Sequence, residues 1–450
     1  MAASSFWRTK WDGLYKCWPM NGLNLYSTKS HQRKFDRPQL KYSRLYLTLA
    51  IALSGCTTLA RHDHPPATAQ SIVPVGFSPS VRSQGIDWRL ERSPEEIIKG
   101  LRAAVTDGSL DVLALSGGGA SGAFGAGALV GLSKAHTRPQ FELVTGVSTG
   151  ALIAPFAFLG PAWDPQLTEA FVGGLSSGLM QRRGLKVLFN ASVFEGEPLK
   201  KLIDTFVTQA LVNEVASEAK KGRLLLVATT DLDKSETVVW NMGVIAAKGD
   251  ESARLLFRDV LIASASVPGI FPPVMVPVSD STGATYDEMH VDGTTTVPFF
   301  IAPEAILVAP GLPWEAQGGN IYIVINSELN VLPSSTPVNT LAIFERGFSS
   351  ALAHTSRTAL AQNANFAQKL GMTFHYTAIP SNDGFAGFLD FDASKMKSLF
   401  EYGSRCAANG QLWLSKMQQT LDQATNPIEP AGPLAPECPV ASAATAKQAK

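Results

Sequence analysis

The sequence predicts an α/β/α fold, in which a mostly parallel sheet is covered by helices on both faces. Short apolar runs alternate with longer segments of helical periodicity; examples of the runs are DVLALS (111–116), FELVTG (141–146), RLLLVATTDL (223–232) and IYIVINS (321–327). Strands buried on both faces are continuously apolar, which distinguishes them from half-exposed strands. With 450 residues, 45% of them hydrophobic, the chain is long enough to bury a large core.

The chain divides into four segments. Residues 1–55 read as a signal peptide, because scattered basic residues precede a short apolar run at 45–56. That run is shorter than the roughly 20 residues that cross a bilayer, and Met20 offers an alternative start. Residues 56–85 are rich in Pro, Ser, Thr and Ala and predict a flexible tether, whereas 86–422 form the globular domain and 423–450 a Pro/Ala-rich disordered tail. Two late helices are expected, at 339–370 and 394–420.

The end of the apolar run, Leu53-Ser54-Gly55-Cys56, resembles the lipobox of bacterial lipoproteins. The resemblance implies that Cys56 becomes a lipidated first residue that anchors the protein to a membrane of the bacterial cell envelope. Thr57 after it, in place of Asp, implies the outer membrane facing the periplasm. The alternatives are an ordinary cleaved signal that contains a cysteine and a short buried helix. Cys406 and Cys438 would then either pair or remain free thiols.

The charge balance points away from nucleic acid as a partner. The chain has 38 basic and 38 acidic residues, so its formal net charge is zero. Nucleic-acid binding would call for an excess of positive charge. The chemistry must therefore be found in local motifs.

A glycine-rich loop, Gly117-Gly118-Gly119-Ala120-Ser121-Gly122, follows the run at 111–116 and leads into a helix of small residues. Backbone N–H groups that converge at a helix N-terminus bind anions, so residues 117–120 are candidates for an oxyanion hole. The same glycines also fit the G-x-G-x-x-G dinucleotide fingerprint, with Glu142 about twenty residues on. A third interpretation is that the glycines only allow close packing of the helix against the strand.

The second motif, Gly146-Val147-Ser148-Thr149-Gly150, follows another apolar run and precedes another helix. This is the pattern of a nucleophile elbow, in which Gly146 and Gly150 permit a sharp turn that exposes the serine hydroxyl. A dinucleotide site needs no such serine. The second motif therefore favours a nucleophilic Ser148 and an oxyanion hole in the glycine-rich loop.

A serine nucleophile needs a base. Asp292, in MHVDGTTTVPF, ends an extended run in an Asp-Gly turn and is one candidate. His354 and His375 stand late in the chain, where a Ser-Asp-His triad would place its histidine. His354 lies in a helical pattern and His375 in a strand pattern, so both also have ordinary structural interpretations.

Taken together, the glycine-rich loop, the serine motif and Asp292-Gly293 resemble the three signature blocks of patatin-like phospholipases, and ASASVPGIFPPV (263–274) resembles a further block. The resemblance covers about residues 113–298. It implies a three-layer α/β/α sandwich, hydrolysis of phospholipids or other acyl-ester lipids, and a Ser148–Asp292 dyad without metal or cofactor. Two departures are Ser121, where Arg or Lys is usual, and Thr294, where Gly or Ala is usual. The rival interpretations are an esterase or thioesterase acting on soluble substrates and a membrane-anchored binding protein without turnover.

Overall fold

The computed structural model describes residues 63–66, 72–84, 94–174, 179, 192–302, 319–330, 333, 335–380, 387–414 and 437–439. The strands are β1 (Val73–Pro74), β2 (Arg82–Gln84), β3 (Asp111–Leu115), β4 (Leu143–Val147), β5 (Leu224–Asp231), β6 (Glu236–Asn241), β7 (Val274–Ser279), β8 (Thr285–Asp292), β9 (Asn320–Glu328) and β10 (Thr373–Ile379). The helices are α1 (Pro94–Ala104), α2 (Gly122–Lys134), α3 (Thr149–Leu159), α4 (Asp164–Val172), α5 (Glu197–Phe206), α6 (Gln209–Lys220), α7 (Met242–Ala247), α8 (Glu251–Ser264), α9 (Thr340–Lys369) and α10 (Ala393–Ala408).

All these strands belong to one mixed sheet with the order β1-β7-β8-β5-β4-β3-β9-β10, and β6 and β2 extend it from β5. Five consecutive strands, β5, β4, β3, β9 and β10, are parallel. The remaining strands pair antiparallel. The parallel centre matches the prediction, whereas the antiparallel extension was not predicted.

Helices cover both faces of the sheet. Alternate side chains of the central strands point to opposite faces, and each face has its own hydrophobic core. In β3, Leu113 and Leu115 face a core shared with α2, α3 and α8, whereas Val112 and Ala114 face one shared with α1 and α9. All four side chains are buried. The predicted three-layer α/β/α sandwich with a mostly parallel central sheet is thus confirmed.

The ordered domain reaches beyond the predicted boundary at its amino-terminal side. β1 and β2, inside the predicted tether, pair with β7 and β6. Val81 between them is only 1% exposed. The polar composition of 56–85 did not indicate the two short edge strands. Such strands are held by a few backbone hydrogen bonds and one buried side chain, so they need no apolar run in the sequence. The tether prediction is therefore wrong for 72–84.

The carboxy-terminal region is fastened by a disulfide bond between Cys406 of α10 and Cys438. This bond resolves the alternative that the sequence left open, and it ties 437–439, within the predicted disordered tail, to the domain. The two predicted late helices are present as α9 and α10, although α10 ends at Ala408, before a turn at Gly410. The predicted signal peptide, which contains Cys17 and Met20, lies outside the described residues, as do Cys56 and most of the predicted tail. Within the part of the chain that is described, no helix combines the length and the apolarity needed to cross a membrane.

Candidate active site

Strand β5 brings the two predicted catalytic residues together. Ala228 of β5 pairs with Val147 at the end of β4, and the next residue, Thr229, pairs with Asp292 at the end of β8. β4 runs parallel to β5 and β8 runs antiparallel to it, so the two strands approach this point from opposite directions. They end at adjacent positions along β5. Ser148, which follows Val147, thus lies beside Asp292.

The backbone at Ser148 makes a sharp turn from β4 into α3. Its φ of 55° and ψ of −125° are unusual for a residue with a side chain, and Ser148 caps the N-terminus of α3. Strained backbone of this kind is concentrated at functional sites. The Ser148 N–H donates to Ser264 Oγ at 2.9 Å, and Ser264 in turn donates to the carbonyl of Ala228 at 2.7 Å. Ser264 thereby fixes the elbow to β5.

The flanking glycines of this motif are required by close backbone approach. A Cβ atom on Gly150 would lie 2.3 Å from the carbonyl oxygen of Leu115, and one on Gly146 would lie 2.6 Å from the carbonyl oxygen of Gly150. Both distances are far below van der Waals contact. The elbow is thus packed directly against the end of β3, where the glycine-rich loop begins.

Ser148 and Asp292 form a buried hydrogen-bonded pair. Ser148 Oγ donates to Asp292 Oδ2 at 2.6 Å, with the residues 5% and 0% exposed. Asp292 Oδ1 accepts from the N–H and the hydroxyl of Thr294 at 2.8 and 2.6 Å. Burial raises the pKa of Asp292 to about 6, against the opposing effect of these hydrogen bonds. A carboxylate with a raised pKa is a stronger base than an exposed aspartate and is still ionised at neutral pH.

The glycine-rich loop faces Ser148, and two of its N–H groups are already hydrogen-bonded. A Cβ atom on Gly117 would lie 3.0 Å from Ser148 Cβ. The N–H of Gly117 donates to the carbonyl of Pro298 at 3.2 Å, and that of Ala120 to the carbonyl of Phe388 at 2.9 Å. In the described part of the chain, the N–H groups of Gly118 and Gly119 have no acceptor. Of the four predicted oxyanion-hole residues, Gly118 and Gly119 thus have donors to offer.

Asn326, near the end of β9, holds this loop in place. Its Nδ2 donates to the carbonyl of Ser116 and its Oδ1 accepts from the N–H of Gly125, at 2.8 and 3.0 Å. Gly119 adopts a φ of 57°, in the left-handed region that favours glycine. A rigidly supported loop keeps its free N–H groups oriented before a substrate arrives, which is the requirement for an oxyanion hole.

Two pockets meet at the glycine-rich loop. The first, the apolar cavity, is lined by Gly119 and Thr149 together with side chains of α3, α4 and α5. The second, the polar pocket, contacts Gly118 and Ser121 and lies against β9, the first turns of α9 and residues 387–388. Phe391 borders the apolar cavity and Phe388 the polar pocket, so the segment from 387 to 391 borders both.

The geometry does not support the alternative assignments weighed from the sequence. Glu142 precedes β4, and its carboxylate accepts from the N–H of Asp111 at the start of β3. It therefore lies at the opposite end of the parallel strands from the glycine-rich loop, where it cannot serve a dinucleotide bound there. His375 stacks on Tyr322, and His354 contacts Arg357. Neither histidine is within hydrogen-bonding distance of Ser148.

A separate buried cluster near Asp292 is an ion-pair network. Asp231, Glu288 and His290 could hold a metal ion by their spacing. However, Glu288 already pairs with Arg82 and with Lys234, the latter at 2.6 Å, and Lys234 also lies 3.4 Å from Asp231. Two cationic side chains neutralise the carboxylates and oppose a further cation. The network instead attaches β2 to β5 and β8.

Comparison with known proteins adds independent information about this region. Residues 113–303 match the family model described as patatin-like phospholipase, a span that contains the glycine-rich loop, Ser148 and Asp292. Residues 113–303 form a patatin-like phospholipase domain. The family match implies a lipid acyl hydrolase that acts on lipid substrates.

The crystal structure of VipD from Legionella pneumophila is similar over 71% of this chain and 70% of that chain, with 12% identity and a TM-score of 0.29. No curated protein sequence matches the chain.

Several residues that support this site were not identified from the sequence. Ser264 supports the nucleophile elbow, Asn326 supports the glycine-rich loop, and the Phe388 carbonyl binds Ala120. Thr294 was noted only as a departure from the family pattern, yet both its donors bind Asp292. Ser264 lies in the ASASVPGIFPPV segment, so a sequence motif already marked its surroundings. No motif marks Asn326 or Phe388.

Proposed function

We propose that the protein is a serine lipid acyl hydrolase of the phospholipase A or lysophospholipase type, in which Ser148 is the nucleophile and Asp292 the base. The observation that carries the proposal is the buried 2.6 Å hydrogen bond from Ser148 Oγ to Asp292 Oδ2 beside two free N–H donors. A hydroxyl is a weak nucleophile until a base accepts its proton. Asp292, buried and with a raised pKa, is suited to that role.

In the first half-reaction, Ser148 Oγ attacks the ester carbonyl carbon as its proton passes to Asp292. The N–H groups of Gly118 and Gly119 stabilise the oxyanion; one such donor typically contributes about 2.7–4 kcal/mol. The tetrahedral intermediate then collapses, the C–O bond to the alcohol breaks, and the alcohol leaves with the proton from Asp292. The products of this step are acyl-Ser148 and a lysolipid or other alcohol.

In the second half-reaction, water attacks the acyl-Ser148 carbonyl and gives a proton to Asp292. Collapse of the second tetrahedral intermediate releases the fatty acid and returns the proton to Ser148 Oγ. Every proton that moves is carried by Asp292, so the scheme needs no metal or other cofactor.

The experiment that tests this function compares lipid with soluble substrates in the presence of a chelator. The purified protein is incubated with phospholipid vesicles, with a short-chain p-nitrophenyl ester and with a short-chain acyl thioester, and free fatty acid and thiol are measured. We expect fatty acid release from the vesicles at the highest rate per enzyme. Turnover of only the soluble compounds would instead support an esterase or thioesterase. A folded protein that turns over none of them would support a binding protein.

The apolar cavity supports an acyl-chain site. Its lining is almost entirely apolar, and it begins at Gly119 and Thr149, beside the proposed nucleophile. Leu202 of α5 is a partly buried member of the lining. The cavity thus provides an apolar environment for a hydrocarbon chain next to the reacting carbonyl.

We expect Leu202→Trp to lower kcat/KM for long-chain p-nitrophenyl esters about tenfold while leaving the butyrate ester nearly unchanged. The larger ring fills volume that a long chain needs and a short one does not. Leu202→Met, which conserves volume, is the control and should behave like the wild type on both esters. An equal loss on long and short esters would show that the cavity does not hold the chain.

Placement at the bacterial envelope is also part of the proposal, with Cys56 as the lipid-bearing residue. The Cys406–Cys438 disulfide supports it, because disulfides form and persist in oxidising compartments such as the periplasm. Several acyl chains on Cys56 would hold the protein firmly on a membrane, whereas a single chain gives only reversible binding.

We expect Cys56→Ser to move the protein from the membrane to the soluble fraction while the activity on a short-chain ester is retained. Fractionation followed by immunoblotting measures the distribution, and Cys17→Ser is the matched control. Equal membrane retention of wild type and Cys56→Ser would rule out this anchor.

A further inference from the structure

Thr294 lies between the proposed base and the glycine-rich loop. It belongs to a single helical turn, Gly293–Thr295, that directly follows β8. A Cβ atom on Gly117 would lie 2.2 Å from Thr294 Cγ2 and 3.0 Å from Ser148 Cβ. The methyl group of Thr294 therefore packs against the glycine-rich loop at the point where this loop faces the nucleophile.

This packing directs the Thr294 hydroxyl toward Asp292. The side chain of threonine is stiff at its first torsion, so a methyl group held against Gly117 also fixes the position of Oγ1. Oγ1 donates to Asp292 Oδ1 at 2.6 Å, and the N–H of Thr294 donates to the same oxygen at 2.8 Å. The other carboxylate oxygen, Oδ2, accepts the hydrogen bond from Ser148 Oγ.

The two donors of Thr294 differ in what they require of the sequence. An aspartate in a turn commonly accepts from the N–H two residues further on, and most residues at 294 would supply that N–H. Gly or Ala, the usual residues of the family pattern here, would supply no hydroxyl. The terminal torsion of an aspartate side chain is broad, so the second donor restricts rotation of the Asp292 carboxylate and keeps Oδ2 toward Ser148.

The hydroxyl also favours the ionised form of Asp292. Burial raises the pKa of this carboxyl group to about 6, and the hydrogen bonds from Ser148 and Thr294 oppose the rise. A hydrogen bond donated to the charged form of a group stabilises that form. Without the Thr294 hydroxyl the pKa of Asp292 would be higher, and a smaller fraction of the base would be ionised in mildly acidic solution.

The charged groups on the strands around Asp292 are paired with one another. They form the ion-pair network that joins β2, β5 and β8, which consists of Arg82, Asp231, Lys234, Glu288 and His290. Burial lowers the pKa of His290, so its ring is uncharged at neutral pH. The end of β4 presents Ser148 and the end of α8 presents Ser264, which are both uncharged. The donors to the carboxylate are therefore the groups through which a substitution can change the base.

We propose that Thr294 is a positioning residue, whose hydroxyl holds the Asp292 carboxylate ready to accept the Ser148 proton and so extends catalysis into mildly acidic solution. Thr294 acts through Asp292 and takes no proton itself. This inference rests on the proposed function, since it concerns the base of the same reaction. It goes further in assigning the acid side of the pH profile to a residue outside the dyad.

The test measures kcat/KM for p-nitrophenyl butyrate from about pH 4.5 to about pH 8.5, because the pH dependence of this ratio reports the ionisation of the free enzyme. Thr294→Val keeps the branched shape and the N–H group and removes the hydroxyl. A stopped assay measures p-nitrophenol at one alkaline pH, so that its own ionisation does not affect the result.

The wild-type kcat/KM should fall by half near pH 6, in line with the pKa of Asp292. In Thr294→Val this midpoint should move up by about one pH unit, since a hydrogen bond to the charged carboxylate is lost. At pH 6 the shift lowers kcat/KM about fivefold, whereas at pH 8 the two proteins should agree within about twofold. A loss confined to low pH distinguishes this role from a structural one.

Three further variants assign the shift to the hydroxyl. Thr294→Ser keeps the hydroxyl without the methyl group and should restore most of the wild-type profile, whereas Thr294→Ala should resemble Thr294→Val. Thr295→Val is the matched control, because it removes a hydroxyl from the next residue, which is exposed. It should leave the profile unchanged. The rate at which a fluorophosphonate probe labels Ser148, measured over the same pH range, gives the same comparison without a substrate.

The outcomes separate this inference from the proposed function. A Thr294→Val variant with the wild-type midpoint, or with equal losses at pH 6 and pH 8, overturns the role of Thr294 and leaves the Ser148–Asp292 dyad intact. A Thr294→Ser variant that loses as much as Thr294→Val also overturns it, since the methyl group would then be responsible. A wild type that releases no fatty acid from phospholipid, but shows the predicted shift in labelling, overturns the lipid substrate and supports the role of Thr294. A wild type that is not labelled at Ser148 overturns both.

Discussion

Replacing Ser148 by alanine is expected to lower kcat for fatty acid release by at least about 10³-fold, since removal of a catalytic nucleophile leaves only the contributions of binding and the oxyanion hole. The alanine variant should fold, because the N–H of residue 148 still donates to Ser264 Oγ and only the bond to Asp292 is lost. The measurement is release of labelled oleate from phospholipid vesicles. Ser121→Ala, a serine on the neighbouring loop, is the matched control and should retain most of the activity on a short-chain ester. A Ser148→Ala variant with a tenth of wild-type activity would remove Ser148 from the mechanism.

The second large effect is expected from Asp292→Asn. Asparagine keeps the shape of the side chain but is no longer a base, so kcat should again fall by about 10³-fold or more. A stopped assay on the same phospholipid vesicles measures it. Single substitutions His354→Gln and His375→Gln should each leave most of the activity, because neither side chain contacts Ser148. Loss of turnover in a folded histidine variant, together with an active Asp292→Asn variant, would show that the base was misassigned.

The raised pKa of Asp292 predicts how activity depends on pH. The ionised carboxylate is the active form, so kcat should be constant above pH 7 and fall by half near pH 6, in line with the pKa of about 6. An exposed aspartate would lose activity only near its ordinary pKa of about 3.9. A profile that remains flat down to pH 4.5 in a folded protein would contradict a buried carboxylate base.

The same pKa separates a catalytic from a structural role. The folded-state pKa lies above that of the unfolded chain, so the folded state binds this proton more tightly, and the contribution to stability is full below about pH 4 and lost as pH rises through about 6. At pH 7 the buried charge thus costs about 3 kcal/mol of unfolding free energy. Asp292→Asn removes that cost, and its melting temperature should not fall. A residue that merely held the fold together would show the opposite result.

Ser148, the glycine-rich loop and Asp292 could be identified from the sequence because each lies in a short motif. Ser148 and the glycine-rich loop each follow an apolar strand and precede a helix, so their positions at the carboxyl ends of β4 and β3 follow from the parallel topology. Asp292 was identified from its Asp-Gly turn and the family resemblance. How Asp292 reaches Ser148 could not be predicted, because it depends on an antiparallel pairing of β8 with β5 that periodicity does not encode.

The supporting residues were harder to predict for a different reason. Asn326 and Phe388 support the glycine-rich loop through hydrogen bonds to its backbone and to the backbone of the flanking residues. The backbone groups that they bind lie more than 200 residues away in the sequence. Asparagine and phenylalanine occur throughout the chain in ordinary roles, so nothing local marks these two. The edge strands within 72–84 escaped detection similarly, since they are two and three residues long. Cys406 and Cys438 could pair or stay apart until the fold placed them together.

The most direct test of the Ser148–Asp292 mechanism is the site at which a fluorophosphonate probe reacts. The probe forms a stable covalent bond only with an activated serine, and tandem mass spectrometry of the digested protein locates it. We predict a single modified residue, Ser148, with labelling abolished in Ser148→Ala, slowed at least about 10²-fold in Asp292→Asn, and unchanged in His354→Gln and His375→Gln. Labelling of another serine, or undiminished labelling of Ser148 in Asp292→Asn, would contradict the dyad.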